Sequence, residues 1–208
     1  QNLILKRFAK VFEQVYIRFL DLQKAEALSR EALIEGALER VRAKTMAMHG
    51  SKDVGIAIVS LFTELERMGI ENIRCGIAAF DNSDTMEVWS ITNVDNEKTV
   101  KAAGSLGINA HKLWRLLYEA WAKKLSFLDY YLTGNEKQDY IDVLNNSGNY
   151  LSQPIHDLPD MNFQSYQFNE GSIWTFSIEP HTEQQRLLMD RFTAVFSQTF
   201  IRYQDLMK

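Results

Sequence analysis

The sequence predicts an α+β fold in which a central antiparallel sheet is flanked by helices, with a long N-terminal coiled-coil helix and a C-terminal helix. Glycine and proline are scarce, 10 and 3 of 208 residues, which favours long helices. Apolar residues recur with helical spacing at both ends of the chain. Between the ends, short β-branched and aromatic runs alternate with turn residues, a pattern that is typical of strands joined by hairpins.

An apolar seam predicts the first helix. Its members are spaced alternately three and four residues apart, as in the heptad pattern of a coiled coil. They are Phe8, Phe12, Val15, Phe19 and Leu22. A second seam follows, formed by Ile34, Leu38 and Val41. Twelve residues separate Leu22 from Ile34, where an unbroken pattern needs 11, so the heptads slip in phase. A helix of this length needs a partner, and parallel dimerisation is the simplest prediction.

The N-terminal helix is repeated at the C-terminus. Residues 7–24 align with residues 191–208, and ten of the 18 positions are identical. The identities include Gln14, Arg18 and Asp21, polar residues that amphipathicity alone does not require. The second copy adds three residues to the seam. They are Phe192, Phe196 and Tyr203. On this reading, Phe196→Asp abolishes dimerisation and leaves most of the sheet folded. Unchanged association would show the alternative, that this helix lies on its own domain.

The repeat predicts how the chain is divided. Residues 1–24 are expected to be the tail helix of a preceding repeat, and residues 25–49 a connecting coiled-coil helix. Residues 50–208 are expected to form one domain that ends in a signalling helix at 181–208. Both ends of the chain lie within helical patterns, which predicts a fragment of a tandem array.

The domain body begins with a helix that stops at Gly69, followed by strands over residues 73–80 and 86–92. Helical spacing returns over 113–121, so the stretch between the second of these strands and the hairpin described below is expected to hold mixed helices. A capping box at residues 133–136 predicts a further helix. The buried face of that helix is expected to hold Tyr140, Ile141 and Leu144.

Residues 169–172 predict the turn of a hairpin that leads into the last helix. On its second strand Trp174, Phe176 and Ile178 alternate with polar residues, which predicts one buried face. A second capping box, at residues 182–185, predicts where the last helix begins.

Composition narrows the function classes. The net charge of −4 disfavours a general nucleic-acid or membrane-surface binder. One cysteine excludes a disulfide framework and cysteine-based metal sites within one chain, and it favours a reducing, cytoplasmic setting. No signal peptide and no membrane-spanning segment is visible. The four histidines form no recognisable metal motif, and no catalytic motif is found, so we expect neither a metal nor an enzyme.

Two segments resemble a known family. Residues 37–49 (ALERVRAKTMAMH) and residues 8–14 (FAKVFEQ) are similar to the GAF-like sensor modules of bacterial signalling proteins. Such modules occur in tandem ahead of histidine kinase, cyclase or DNA-binding output domains. The resemblance implies a protein of the hybrid histidine kinase or two-component type. It also implies terminal helices on one face of the sheet, a small-molecule pocket on the other, and dimers through the connecting helices.

The family's well-known ligands are not indicated. Cyclic-nucleotide-binding members carry an Asn-Lys-Phe-Asp-Glu motif, and the nearest segment here is Phe168-Asn169-Glu170. Methionine sulfoxide reductases of this family need several cysteines. The bilin-attachment context of phytochromes is not reproduced around Cys75. The cofactor therefore stays unknown, with none as one alternative.

Four residues are candidates to line a pocket. They are Cys75, Trp89, Trp114 and Tyr130. Aromatic side chains line sites for flat or apolar ligands, although packing in the core is the usual role of such residues.

We expect a non-catalytic sensory and signal-relay module that passes a conformational signal through dimeric coiled-coil helices to an output domain. The alternative is a ligand-free dimerisation or spacer scaffold in the same array. The expected partners are a second copy through the terminal helices, adjacent domains of the parent chain, and a small molecule.

Overall fold

The computed structural model of the chain describes residues 2–47, 51–81, 83–94, 97–148, 150–151 and 158–207. It divides into two compact units, residues 1–39 and residues 40–208. The first helix, α1 (Asn2–Met46), supplies the described part of the first unit and adds its last turns to the second. The end of the connecting helix, expected at residue 49, lies outside the described residues.

The second unit holds helices and an antiparallel sheet. Its helices are α2 (Ser51–Arg67), α3 (Lys112–Ala122), α4 (Gly134–Asn146) and α5 (Glu183–Met207), with a 3₁₀ turn at Ile108–Ala110. Its strands are β1 (Arg74–Phe80), β2 (Thr85–Val94), β3 (Glu97–Gly107), β4 (Phe127–Leu132), β5 (Tyr150–Leu151), β6 (Met161–Phe168) and β7 (Gly171–Ser177). The seven strands lie in the order β4-β6-β7-β1-β2-β3-β5, each pair antiparallel. The predicted α+β fold with a central antiparallel sheet is confirmed.

The register of the strands sorts side chains onto two faces. Arg74 lies opposite Phe176 and Gly76 opposite Trp174, so these side chains share one face. That face packs with residues of α3 and α4 in one hydrophobic core. Neighbouring residues of each strand point to the other face, which α2 and α5 cover. The sheet is therefore the middle of three layers.

An ion cluster joins the last turns of α1 to α2. Glu64 is 4% exposed, and its carboxylate accepts hydrogen bonds from Arg40 Nε at 3.0 Å and Arg40 Nη2 at 2.8 Å. Arg67 Nη1 donates to the same carboxylate at 2.9 Å. The hydrogen bonds from Arg40 hold the pKa of Glu64 below its usual value. The next residue of α1, Val41, is fully buried.

Several local predictions are confirmed. Residues 168–171 close the hairpin between β6 and β7, with Phe168 paired to Gly171. At the start of α5, Gln185 N donates to Thr182 Oγ1 at 3.3 Å and Thr182 N donates to Gln185 Oε1 at 2.9 Å, which is the predicted capping box. The buried residues of α4 are those predicted. They are Tyr140, Ile141 and Leu144.

Three local predictions are wrong. Thr133 does not cap α4 through its side chain, because its hydroxyl donates instead to Asp160 Oδ2 at 2.6 Å. The stretch expected to be mixed helices also contains β3, β4 and β5. Ile178 is 54% exposed, because β7 ends at Ser177. Within β7 every residue is buried, so no alternation remains; helices cover both faces of this inner strand.

Candidate functional site

The face of the sheet under α3 and α4 gathers aromatic rings. Trp114 of α3 and Tyr140 of α4 meet edge to face, with ring centroids 5.9 Å apart. Tyr140 contacts Phe176 of β7 at 5.5 Å, and Phe163 of β6 contacts Trp174 of β7 at 6.3 Å. Such offset and edge-to-face contacts stabilise aromatic clusters beyond their buried area. This cluster occupies the place where the family resemblance implies a small-molecule pocket.

Arg74, at the start of β1, puts a cation into this cluster. It is 2% exposed. Its Nη2 donates to Ser90 Oγ at 3.2 Å, its Nη1 to the Tyr140 hydroxyl at 3.4 Å, and its guanidinium lies 5.8 Å from the Trp174 ring centroid. A buried guanidinium needs such partners because burial costs its hydration. The sequence analysis missed Arg74; the signal was an arginine that opens an otherwise apolar strand.

His111 caps α3 and ties it to α4. Its Nδ1 accepts a hydrogen bond from Leu113 N at 3.1 Å, so the proton of the neutral ring sits on Nε2. Nε2 then donates to the carbonyl oxygen of Glu136 at 3.2 Å. Burial lowers the pKa of His111 below its ordinary value. The ring therefore acts as a neutral structural link, and it also packs edge to face on Trp114 at 5.8 Å.

Little space remains between these rings. The cavity that they enclose with Arg74 has a volume of about 20 Å³, room for roughly one water molecule. Sites for small organic ligands are usually several hundred Å³. In this conformation the site can hold a water near the guanidinium, whereas a cofactor-sized ligand requires the aromatic side chains to move.

The four predicted pocket residues are not brought together. Trp114 is buried in the aromatic cluster, and the half-buried Tyr130 of β4 packs at its edge. The Tyr130 hydroxyl accepts a hydrogen bond from Lys112 Nζ at 2.8 Å, and burial raises the pKa of this phenol. Cys75 of β1 and Trp89 of β2 lie on the opposite face, where Trp89 contacts Phe200 of α5 at 6.5 Å. One pocket cannot include all four, because the sheet separates the two pairs.

On that opposite face, a second histidine anchors the start of α5. His181 is 6% exposed; its Nδ1 lies 2.7 Å from the Tyr166 hydroxyl, and its backbone N donates to Gln164 Oε1 at 2.7 Å. Burial lowers the pKa of His181 to about 4. A cleft of about 740 Å³ opens beside it and includes Glu66, Glu71 and Glu179 on its walls. It is wide and open to solvent, so we place the candidate site in the enclosed cluster around Arg74.

The predicted seam divides into exposed and buried parts. Its first five residues are 51–72% exposed. They are Phe8, Phe12, Val15, Phe19 and Leu22. Further along α1, Ile34 is half-buried, and Leu38 and Val41 are buried.

The C-terminal part of the seam is corrected. Phe192 and Phe196 are fully buried, and Phe196 packs on Phe168 of β6 with ring centroids 5.8 Å apart. These two residues belong to the core of their own domain and are not a dimer seam, because the strands present an apolar face that the helix covers. The side chain of Tyr203 lies outside the described residues.

Two features are absent from the described residues. Among their histidines, cysteines, aspartates and glutamates, no three are grouped so that they could hold a metal ion. Over the same part of the chain, none of the helices has the length and apolar character needed to cross a membrane.

The comparisons with known proteins found similar solved structures but no similar sequence. No protein-family model and no curated protein sequence matches the chain significantly. Among solved structures, the chain is similar to the GAF domain of an Acinetobacter phosphoenolpyruvate-protein phosphotransferase, with 11% identity over 82% of this chain and 93% of that chain and a TM-score of 0.49. It is similar to the chromophore-binding domain of a bacteriophytochrome from R. palustris, with 12% identity over 84% and 62% and a TM-score of 0.48. It is also similar to the phycocyanobilin-bound GAF domain of a cyanobacterial phytochrome, with 10% identity over 84% and 97% and a TM-score of 0.45.

Proposed function

We propose that this chain is a non-catalytic sensory and signal-relay module of the GAF-like kind, working in the cytoplasm as part of a bacterial signalling protein. It forms a homodimer through its long N-terminal helix and passes a conformational change along that helix to an adjacent output domain. The parent protein is of the two-component or hybrid histidine kinase type, and the module is one of a tandem array.

The observation that carries this proposal is the apolar surface of residues 17–33. Six large apolar side chains there are at least 45% exposed. They are Ile17, Phe19, Leu20, Leu22, Leu28 and Leu33. Exposed apolar side chains that recur along a helix mark a protein contact, and the heptad spacing of Phe19 and Leu22 favours a second helix as the partner.

The ion cluster around Glu64 supports the relay. Arg40 lies in the last turns of α1 and forms two hydrogen bonds with this almost fully buried carboxylate of α2. This ion pair resists sliding of the last turns of α1 along α2, since separating the two groups leaves a buried carboxylate without its partner. A rotation or shift of these turns of α1 therefore acts on α2, which packs against the sheet.

Native mass spectrometry and sedimentation velocity test the dimer. We expect the chain to be a dimer and the double variant Phe19→Lys/Leu22→Lys to be a monomer with an unchanged fold, because two charges then face each other across the seam. The matched control is Gln14→Lys/Ala25→Lys, which adds the same charge to exposed positions off the seam. A monomeric parent chain at high concentration, or a dimer that the seam variant leaves intact, contradicts the proposal.

The filled aromatic cluster favours a second candidate function, a ligand-free dimerisation or spacer scaffold. Because the cavity is only about 20 Å³, the module would dimerise or act as a spacer without a small molecule in that site. The same native mass spectra distinguish the two: a dimer that retains additional mass is a ligand-binding sensor, and a dimer of the bare polypeptide mass supports the scaffold.

A further inference from the structure

The two copies of the repeat, in α1 and in α5, differ in whether their apolar faces are covered. This difference indicates a partner for the copy in α1. In the second copy, seven side chains of α5 up to Phe200 are buried among the described residues. They are Leu188, Met189, Phe192, Thr193, Val195, Phe196 and Phe200. They form the face with which α5 docks on the sheet, where Phe196 and Phe200 each lie 5.8 Å from Phe168.

Every one of these positions has an apolar counterpart in the first copy. The counterparts, 184 residues earlier, are Ile4, Leu5, Phe8, Ala9, Val11, Phe12 and Tyr16. All seven are exposed. The opposite side of the helix does not follow this rule: the exposed Asp190, Ala194 and Gln198 correspond to the polar Lys6, Lys10 and Gln14.

This match is more specific than a coiled-coil seam. A seam needs an apolar residue at two of every seven positions, whereas docking on a sheet needs the wider stripe that α5 uses. Ala9 and Val11 lie outside the heptad seam, yet they are small or apolar where Thr193 and Val195 are buried. Ala9 also lacks the hydroxyl of Thr193, whose Oγ1 has no hydrogen-bond partner among the described residues.

We infer that residues 4–16 are the sheet-docking face of the terminal helix of a preceding module of this fold, in the same polypeptide. The sheet of that module covers Phe8 and Phe12 as this domain's sheet covers Phe192 and Phe196. The inference rests on the proposed tandem array and goes beyond the proposed dimer, whose test uses Phe19 and Leu22, residues that follow this face along the helix.

A graft within the full chain tests whether the first copy can dock. Residues 188–199 are replaced by residues 4–15, in register with the repeat and with Phe200 retained. We expect cooperative unfolding within about 5 °C of the parent melting temperature, because each buried position keeps an apolar residue of similar size.

The matched control graft comes from the second seam. Residues 30–41 replace 188–199, so that Ile34, Leu38 and Val41 fall on positions 192, 196 and 199, and Ala194 is retained to keep glycine out of the helix. This graft keeps the seam and loses the wider face, since Arg30 and Glu31 fall on the buried positions 188 and 189. We expect a melting temperature at least about 15 °C below that of the parent, or no cooperative transition. Equal stability of the two grafts overturns the inference.

Thiol labelling tests the partner directly. In a tandem chain, residues 1–186 are followed by residues 3–208, so the first copy follows a module in the register of α5. Ala9→Cys in that internal copy is expected to react at least about tenfold more slowly than Ala9→Cys in the single chain, since its counterpart Thr193 is buried. Lys10→Cys is the control and is expected to react alike in both, since its counterpart Ala194 is exposed. Equal labelling of Ala9→Cys in both chains overturns the inference, whether or not the chains dimerise.

Discussion

The two copies of the repeat place the same side chains in opposite surroundings. Phe8 and Phe12 are 72% exposed on α1, and their counterparts Phe192 and Phe196 are fully buried on α5. Ten of the 18 aligned positions are identical, and both segments are helical. The difference lies in what stands opposite: α5 follows a hairpin and a short turn that return it to the sheet, whereas residues 2–39 form a unit of their own.

This comparison teaches that an amphipathic stripe specifies a face and not its partner. The spacing of Phe192, Phe196 and Tyr203 satisfies a coiled-coil seam and a sheet-docking helix equally well, because both partners bury one side of a helix. The tertiary structure decides between the two partners, because the ring of Phe196 packs against Phe168 of the sheet.

Charge substitution at matched positions is expected to give the largest effect. Phe196→Asp removes a fully buried ring and buries a carboxylate, so we expect the domain to lose more than about 4 kcal/mol of unfolding free energy. Phe12→Asp is the same change at the matched exposed position, and we expect the domain's stability to stay within about 0.5 kcal/mol. Urea unfolding followed by tryptophan fluorescence measures both. Similar losses in the two variants contradict the comparison.

A glycine substitution tests how tightly the sheet is packed on the face opposite the second copy, under α3 and α4. A Cβ at Gly76 collides with the Trp89 carbonyl oxygen and with the Trp174 indole, so we expect Gly76→Ala to cost about 2–3 kcal/mol. Gly148→Ala is the control, since nothing lies within 4 Å of a Cβ there. Thermal unfolding measures both, and a neutral Gly76→Ala shows that the sheet yields to the added methyl group.

Acid is expected to weaken the domain through the start of α5. The pKa of His181 is lowered to about 4 by burial, with Arg186 adding to the effect and Tyr166 facing the ring. The unfolded chain therefore binds more protons between pH of about 6.5 and 4, and stability falls by up to about 3 kcal/mol as the pH drops through that interval. Residues 1–39 contain no histidine. The measurement is the unfolding free energy as a function of pH, and His181→Gln is expected to reduce its slope in this interval. An unchanged slope would mean that other groups cause the loss of stability.

The smallest effect is expected at the junction of α1 with the domain. Glu64→Gln removes the charge that Arg40 and Arg67 share, and we expect a loss of about 1 kcal/mol, since both arginines are more than half exposed to screening solvent. Because the pKa of Glu64 is lowered in the folded state, this contribution is present at neutral pH and disappears as the pH falls through that value. Urea unfolding at pH 7 and pH 3 measures it. A loss that persists at pH 3 indicates packing rather than charge.

The candidate site was only partly predictable. Trp114 was selected from its aromatic type, and it does lie in the cluster. Arg74, His111 and Tyr140 were missed as site residues because their meeting depends on strand register and on how α3 and α4 cross the sheet. Cys75 and Trp89 were grouped with Trp114 although they lie on the other face, since separate strands give no information about each other's register.

The sequence by itself determined the elements whose signals are local. The capping box at Thr182 and Gln185, the hairpin turn and the buried residues of α4 depend on contacts within a few positions, where side-chain spacing is set by the helix or strand itself. The tertiary structure decided what the local pattern leaves open. It buried Phe196 and left Phe12 exposed, and it turned the hydroxyl of Thr133 toward Asp160. Each outcome depends on a residue distant in sequence, since a helical stripe or a hydroxyl is satisfied by whichever partner the fold brings near.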